Sequence, residues 1–472
     1  MKTVYDKISK YASLVLLILF MTILYIVFLL KSQDNDMFFE IMSGRDILNG
    51  NFHTISHMND FPIIVQQWLY AVCLAIIDRF GTVGNILFVL VQNLILGFLC
   101  YKFISIKTHN KQRAIIGSIF AILYCHDYMI NIRPQIITAI CLVAQLVFME
   151  LYKEKKQIKY LLPIFPILIL SANMHQAVFL YHGFIMIPYF YEEVEGKKGI
   201  DWKLTCFTPL FMACSLLTPY GLDGSLYIVR TFMSKTYDIV GINEILPVSF
   251  VDYVGIKMFL LCGVAIFCIH RQKSNRFVNF FTFAITLLTL ISARHISIMI
   301  IPVLFIICTI EDFQFLHTVY ARGCMCLICI AMCLMFVKHT KDIRYDYGPV
   351  VNAIENKDAM IYNTAMDLGG WLEYNGCTKI KLDSRCEAFS EEISGVPNVM
   401  TDYLVLSQGY IVDKDDLSYT MAEDEDILRL IEDYEYVVAK KNQYVNRTLN
   451  RNQDEWTKIF DDDVYTVYIH ND

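Results

Sequence analysis

Apolar residues in this chain come in long runs separated by short polar stretches, and the runs predict its elements. Residues 13–30 read SLVLLILFMTILYIVFLL without a charge, long enough to cross a hydrocarbon layer roughly 30 Å thick. The run exceeds a signal-peptide core, and no small-x-small cleavage site precedes the polar stretch at Lys31, so it is expected to stay as a first span. Further runs at 83–104, 114–130, 135–151, 159–173, 177–191, 204–217, 257–270, 277–292, 296–310 and 324–338 bring the expectation to about eleven spans. The fold class expected is a mainly α, polytopic membrane protein.

Between the first two spans lies a loop of about fifty residues with a different pattern. At 36–49, Phe38, Ile41, Met42 and Leu48 recur at helical spacing while Asp36, Glu40 and Ser43 fall on the other side. This predicts a helix lying at the membrane surface. A second helix is expected over 67–79; it is more uniformly apolar but short, and it carries Asp78 and Arg79 near its end, so it is read as a half-buried surface helix rather than a span.

From His339 the pattern changes again. AMIYN (359–363), KIKLD (379–383) and YEYVVAK (434–440) predict strands, and 423–432 predicts a helix. WTKIF and VYTVYIH flank the acidic turn Asp461-Asp462-Asp463. The expected organisation is a membrane domain over 1–338 and a small soluble α/β domain over 339–472.

Composition supports the lipid reading: 56% of the 472 residues are hydrophobic and 18% charged, against about a quarter charged in soluble proteins. The tail from His339 holds 13 basic and 27 acidic residues, a net of −14, and the remainder holds 27 and 20, a net of +7. With the amino terminus cytoplasmic, the inner segments carry eighteen Lys and Arg and the outer ones eight, the bias that the positive-inside rule requires. That order puts the acidic tail outside the cell membrane, and its charge disfavours a role on anionic lipid surfaces. Most of the fifteen cysteines lie in apolar runs; Cys324, Cys326, Cys329 and Cys333 stand among Met, Leu and Ile, which favours soft packing over metal ligation. Cys377 and Cys386 are the one pair in the tail, and a disulfide between them is left open.

Ionisable residues at a membrane boundary are costly and therefore candidates for function. Asp34, Asp36 and Glu40 follow the first span, Arg133 precedes Pro134, and His175 follows Asn173. Arg230, Lys235 and Glu244 lie in one loop, and Arg294-His295 ends a later run. All fall on the expected outer side. Each also has a plain structural reading: a helix cap or solvated acid for Asp34, snorkelling anchors for Arg133 and Arg294, and packed histidines for His175 and His295. His53, His57 and Asp60 have the donor types of a metal site but irregular spacing, so no metal ligands are assigned and a divalent metal stays open as a cofactor.

Asp34-Asn35-Asp36, SGRDILNG, QQWL, IRPQ, ANMHQ, LTPYG, INEILPVSF and SARH follow one another along the chain, and LGGWLEY and KLDSRCEAF stand in the tail. In this order they resemble the GT-C type integral membrane glycosyltransferases and their bacterial relatives over nearly the whole chain. The resemblance implies transfer of a sugar from a polyprenyl-phosphate donor to an extracytoplasmic carbohydrate, lipid or other acceptor, with membrane lipids around the protein. It implies no nucleic-acid partner, and a membrane-embedded donor accounts for the lack of a Gly-rich nucleotide fingerprint.

Such chemistry needs a carboxylate to orient and deprotonate the acceptor, and cations where charge develops on the leaving phosphate. Carried over, Asp36 is the first choice for the base, with Asp34 second and Glu40 as a supporting carboxylate. Arg133, Arg230, Arg294 and His295 are the donor-phosphate candidates, and His175, Gln67, Trp68 and Glu244 the substrate-binding ones. The chain departs from its relatives where a His commonly replaces Glu40 and a His-Glu pair replaces Gln66-Gln67. The departure motivates a competing, non-catalytic reading, a lipid-glycan flippase component or membrane scaffold. Asp383-Ser384-Arg385 reads either as an acceptor contact or as an Asp-capped turn with an internal ion pair, and Gly369-Gly370 as a tight strand-to-helix entry.

Overall fold

In a computed structural model of the protein, residues 36–58, 60–125, 132–194, 197–234, 263, 276–291, 295, 298–309, 347–413 and 418–471 are described. The spans expected at 13–30 and 324–338 lie outside them, as does 257–270 but for Gly263. The chain divides into two compact units. The first comprises Met1–Ser32, Phe80–Gly221 and Asn243–Arg344; the second comprises Gln33–Arg79, Leu222–Ile242 and Tyr345–Asp472. The loop after the first span thus belongs with the tail, where the sequence placed a single boundary.

The first unit is a helical bundle. Gly81–Thr108 turns at a two-residue link into Lys111–Tyr124 and packs on Gln135–Lys155. These are followed by Ile164–Met174, Leu180–Phe184, Trp202–Ala213, Arg276–Ile291 and Ile300–Thr309. The expected span at 177–191 is broken into short helical turns, and a hairpin, Tyr191–Val194 with Lys197–Ile200, precedes Trp202. Asp201 caps the next helix by accepting from Leu204 N at 3.1 Å and Tyr152 Oη at 2.9 Å.

The helix Gly81–Thr108 reverses the polarity of a water-soluble helix. Asn85, Gln92 and Asn93 point inward with Ile86, Val89 and Leu96, while Val83, Leu87, Val91, Leu94 and Phe98 are exposed. Such a helix suits a hydrocarbon solvent, where every polar group must find its partner inside. Among the described residues two helices are long and apolar enough to cross a membrane, Gly81–Thr108 and Gln135–Lys155. Packed aromatics such as Phe103 and Phe305, edge-on at 5.7 Å between centroids, contribute about 1 kcal/mol per pair beyond their burial.

The tail of the second unit holds a five-stranded sheet ordered Trp456–Asp461, Tyr465–His470, Tyr436–Lys440, Met360–Asn363, Lys379–Ile380. The first three pair antiparallel, with Val467 opposite Val438. The last three pair parallel, with Ile361 opposite Tyr436 and Met360 opposite Lys379. Parallel neighbours need a crossover, which the helix Met366–Tyr374 supplies. Strands buried on both faces read as continuous apolar runs, as Tyr436, Val437, Val438 and Ala439 do. The early segment extends the edge of this sheet: Met58 bridges Lys379, and Ile380 N donates to His57 O at 2.9 Å. All the strands expected in the tail form.

Candidate functional site

The helix Asp36–Leu48 is the centre of the second unit. Asp36 stands half-buried in its first turn and Arg45 in its last, the charge order that the helix dipole favours. The expectation of a surface helix with Glu40 and Ser43 outward is corrected by burial of both, 3% and 4% exposed. Its polar stripe meets protein groups instead. Glu40 accepts from Gln67 Nε2, and Ser43 accepts from Arg385 Nη1 at 2.8 Å. Periodicity identified the stripe; it could not say that the tail would cover it.

Two glycines let the backbones come close enough for this. A Cβ on Gly44 would stand 2.1 Å from Ala71 O, in the helix Trp68–Asp78, and one on Gly370 would stand 2.7 Å from Phe39 N. Gly369 and Gly370 therefore lie inside the helix Met366–Tyr374 rather than at a strand-to-helix turn. Phe38 fills the space beside them, its ring 4.4 Å from that of Trp371 and 5.0 Å from that of Tyr374. Arg45 and Tyr374 both donate to Asp78, at 3.0 and 3.3 Å.

Arg385 sits at the heart of the unit, 7% exposed. Its backbone N donates to Asp383 Oδ1 at 2.8 Å, its Nε to Asp383 Oδ2 at 2.6 Å and its Nη2 to Glu373 Oε1 at 3.4 Å. The guanidinium also lies over the Phe39 ring, 5.2 Å from the centroid. Of the two readings of Asp383-Ser384-Arg385, the geometry is that of the capped turn with an internal ion pair. Burial pushes the Glu373 carboxyl up and Asp383 adds to the push; the pull of Arg385 does not reverse it. The same two carboxylates hold the Arg385 guanidinium above its usual range in spite of burial. Glu373 went unnoticed in the sequence, since nothing in LGGWLEY marks its carboxyl as buried.

Of the other candidates, Gln67 and Trp68 are half-buried at the start of Trp68–Asp78, and Trp68 lies 6.0 Å ring to ring from Phe52. Arg230, in the helix Gly221–Met233, makes an exposed ion pair with Asp223 at 3.3 Å. Asp34, Glu244 and Arg294 lie outside the described residues. His57 Nδ1 lies 3.0 Å from Ser56 Oγ, which donates to Asp46, and burial lowers its pKa against the pull of Asp46. Among the described residues no three His, Cys, Asp or Glu side chains group to hold a metal. Cys377 and Cys386 are free thiols.

In the first unit, polar ties reach from the sequence motifs ANMHQ and SARH to neighbouring elements. His175 Nδ1 lies 2.8 Å from Thr138 Oγ1, one turn into the helix that follows Arg133-Pro134. Asn173 Nδ2 donates to Leu217 O at 2.9 Å and Gln176 Nε2 to Ser215 O at 3.0 Å, which joins ANMHQ to the stretch entering LTPYG. Tyr181 pairs with His295 of SARH. The half-buried Arg133 thus stands beside the end of the bundle where His175 lies.

The fold is shared with solved structures of an archaeal oligosaccharyltransferase. Solved structures of the oligosaccharyltransferase of Archaeoglobus fulgidus superpose on 91% of this chain. One, tethered to an acceptor peptide containing the NVT sequon, matches over 69% of its own length at a TM-score of 0.56 and 11% identity. A second, named AglB and holding an inhibitory peptide and a dolichol-phosphate, matches over 69% at 0.57 and 11% identity. The apo form matches over 70% at 0.57 and 10% identity. No protein-family model and no curated protein compared with the sequence matches it.

Proposed function

We propose that this chain is a GT-C glycosyltransferase that moves a sugar or glycan from a polyprenyl-phosphate-linked donor to an acceptor at the outer face of the membrane. The observation that carries the reading is the GT-C fold over 91% of the chain, with the Asp36 and Glu40 carboxylates one turn apart on a single helix. The solved structures holding a dolichol-phosphate and an acceptor peptide support the donor class and add peptides to the carbohydrate and lipid acceptors considered. The amino terminus is cytoplasmic, about eleven spans follow, and the acidic tail is extracytoplasmic.

Asp36 takes the acceptor proton as the acceptor heteroatom bonds to the anomeric carbon. The bond from that carbon to the phosphate oxygen breaks, and its electron pair leaves on the lipid phosphate. Arg133, Arg230, Arg294 and His295 stabilise that charge, with Asp34 and Glu40 supporting Asp36. His175, Gln67, Trp68 and Glu244 line the substrates. The hydrogen bond from Gln67 holds the Glu40 carboxylate, so an amide here takes up the neighbour that the relatives' titratable pair would supply.

The test is donor consumption by the purified full chain in liposomes holding a polyprenyl-phosphate glycan pool from the source membrane. Transfer by the wild type and its loss in Asp36→Asn is the expected result. Full transfer by Asp36→Asn removes the assignment, and glycolipid movement across the bilayer without transfer favours the flippase reading.

A further inference from the structure

We propose that Arg385, far along the chain in the tail, positions the helix that carries Asp36, an inference that rests on Asp36 as the acceptor-activating carboxylate. The turn at 383–385 is complete without this reach, because Asp383 alone caps the Arg385 backbone and pairs with its Nε. Nη2 stays with Asp383 and Glu373, while Nη1 leaves the tail's own turn and donates to Ser43 at 2.8 Å, and the guanidinium covers the Phe39 ring. Positions 36, 40 and 43 share one helical face. Arg385 therefore holds the face on which both carboxylates stand, seven residues beyond Asp36.

Gly44 and Gly370 already fix the distance of this helix from its neighbours; the bond to Ser43 fixes its roll. A guanidinium does this as a rigid fork, whereas an ammonium would keep the charge and lose the second direction. Misplacement of a reacting group by about 1 Å costs on the order of 100-fold in rate, so a small roll is enough to matter.

The test uses the full chain in liposomes with Arg385→Lys, Ser43→Ala and the double variant. Arg385→Lys is expected to lower kcat by roughly 10- to 100-fold with donor KM within about twofold and the acid limb of the pH profile in place. Ser43→Ala is expected to lower kcat less, and the double variant to match Arg385→Lys, because both remove one bond. Amide exchange over 36–48 is expected to quicken while 436–440 and 465–470 keep their protection. Wild-type kcat in Arg385→Lys, additive losses, or exchange that rises equally in the sheet overturns the proposal. Absence of transfer by the wild type overturns the reading of Asp36 instead, and exchange over 36–48 that is unchanged in Arg385→Lys overturns Arg385's hold on the helix independently.

Discussion

The two units solve the problem of buried polarity in different ways. In the helical unit the interior is tied mainly by neutral groups. His182 lies between Gln145 and Ser171, 2.7 Å from the Ser171 hydroxyl, and Asn173 and Gln176 donate to backbone carbonyls. Among the described residues, Lys107, Glu150 and Tyr189 form an ionic cluster near the far end of Gln135–Lys155, and the half-exposed Lys156 pairs with the buried Asp201. In the second unit the interior holds a buried ionic centre, Arg385 with Asp383 and Glu373, and Asp46 accepts from the Ser56 backbone and hydroxyl. A hydrocarbon-facing bundle gains little from charges it must desolvate, whereas a unit rich in acidic residues can bury one cation to organise several of them. The difference teaches where single substitutions should matter most.

Breaking the ionic centre should give the largest effect. Arg385→Ala leaves Asp383 and Glu373 buried without their cation, so the second unit is expected to lose about 3–5 kcal/mol, read as earlier unfolding in chemical denaturation of the full chain in detergent. Close approach comes next. Gly44→Ala puts a methyl into the Ala71 carbonyl and should cost about 3 kcal/mol, whereas Gly183→Ala in the first unit meets only the flexible Met212 side chain at 3.3 Å. That variant should stay within about 0.5 kcal/mol of the wild type, and equal losses in the two glycine variants would erase the contrast.

Much of this was legible beforehand, and the failures are instructive. The tail strands at 359–363, 434–440 and 464–470 announced themselves by β-branched and aromatic runs, and the helix at 36–49 by its period. The fate of that helix did not. Its stripe of Asp36, Glu40 and Ser43 reads the same whether it faces water or a guanidinium more than three hundred residues away, because periodicity records a face and not its partner. Gly369-Gly370 likewise reads as a turn, whereas Leu382 and Asp383 need the space at Gly369 and Phe39 needs it at Gly370. The first unit's ties of His175 to Thr138 and of His295 to Tyr181 join each motif histidine to a hydroxyl that no sequence motif marks.

A smaller effect sharpens the electrostatic side of the comparison. The Glu373 carboxyl is raised by burial, so the proton it holds stabilises the fold fully below the unfolded value of about 4.3. That contribution is lost as pH rises through the folded value. Glu373→Gln keeps a neutral group there and should flatten the decline in stability between the unfolded and folded values, seen as a smaller fall in melting temperature from about pH 5 to about pH 8. At the bottom of the scale, Arg230→Ala breaks an exposed pair with Asp223 and should cost under about 1 kcal/mol; a larger fall in transfer than in stability would assign Arg230 to the donor phosphate.

The central claim is that the acid in the first turn of the buried helix does the chemistry while the second unit holds it in place. Single-turnover transfer from a polyprenyl-phosphate glycan, with donor binding measured separately, addresses it most directly. Asp36→Asn is expected to bind donor as the wild type does and to transfer slower by roughly 100- to 10,000-fold. Transfer at the wild-type rate by Asp36→Asn would contradict it.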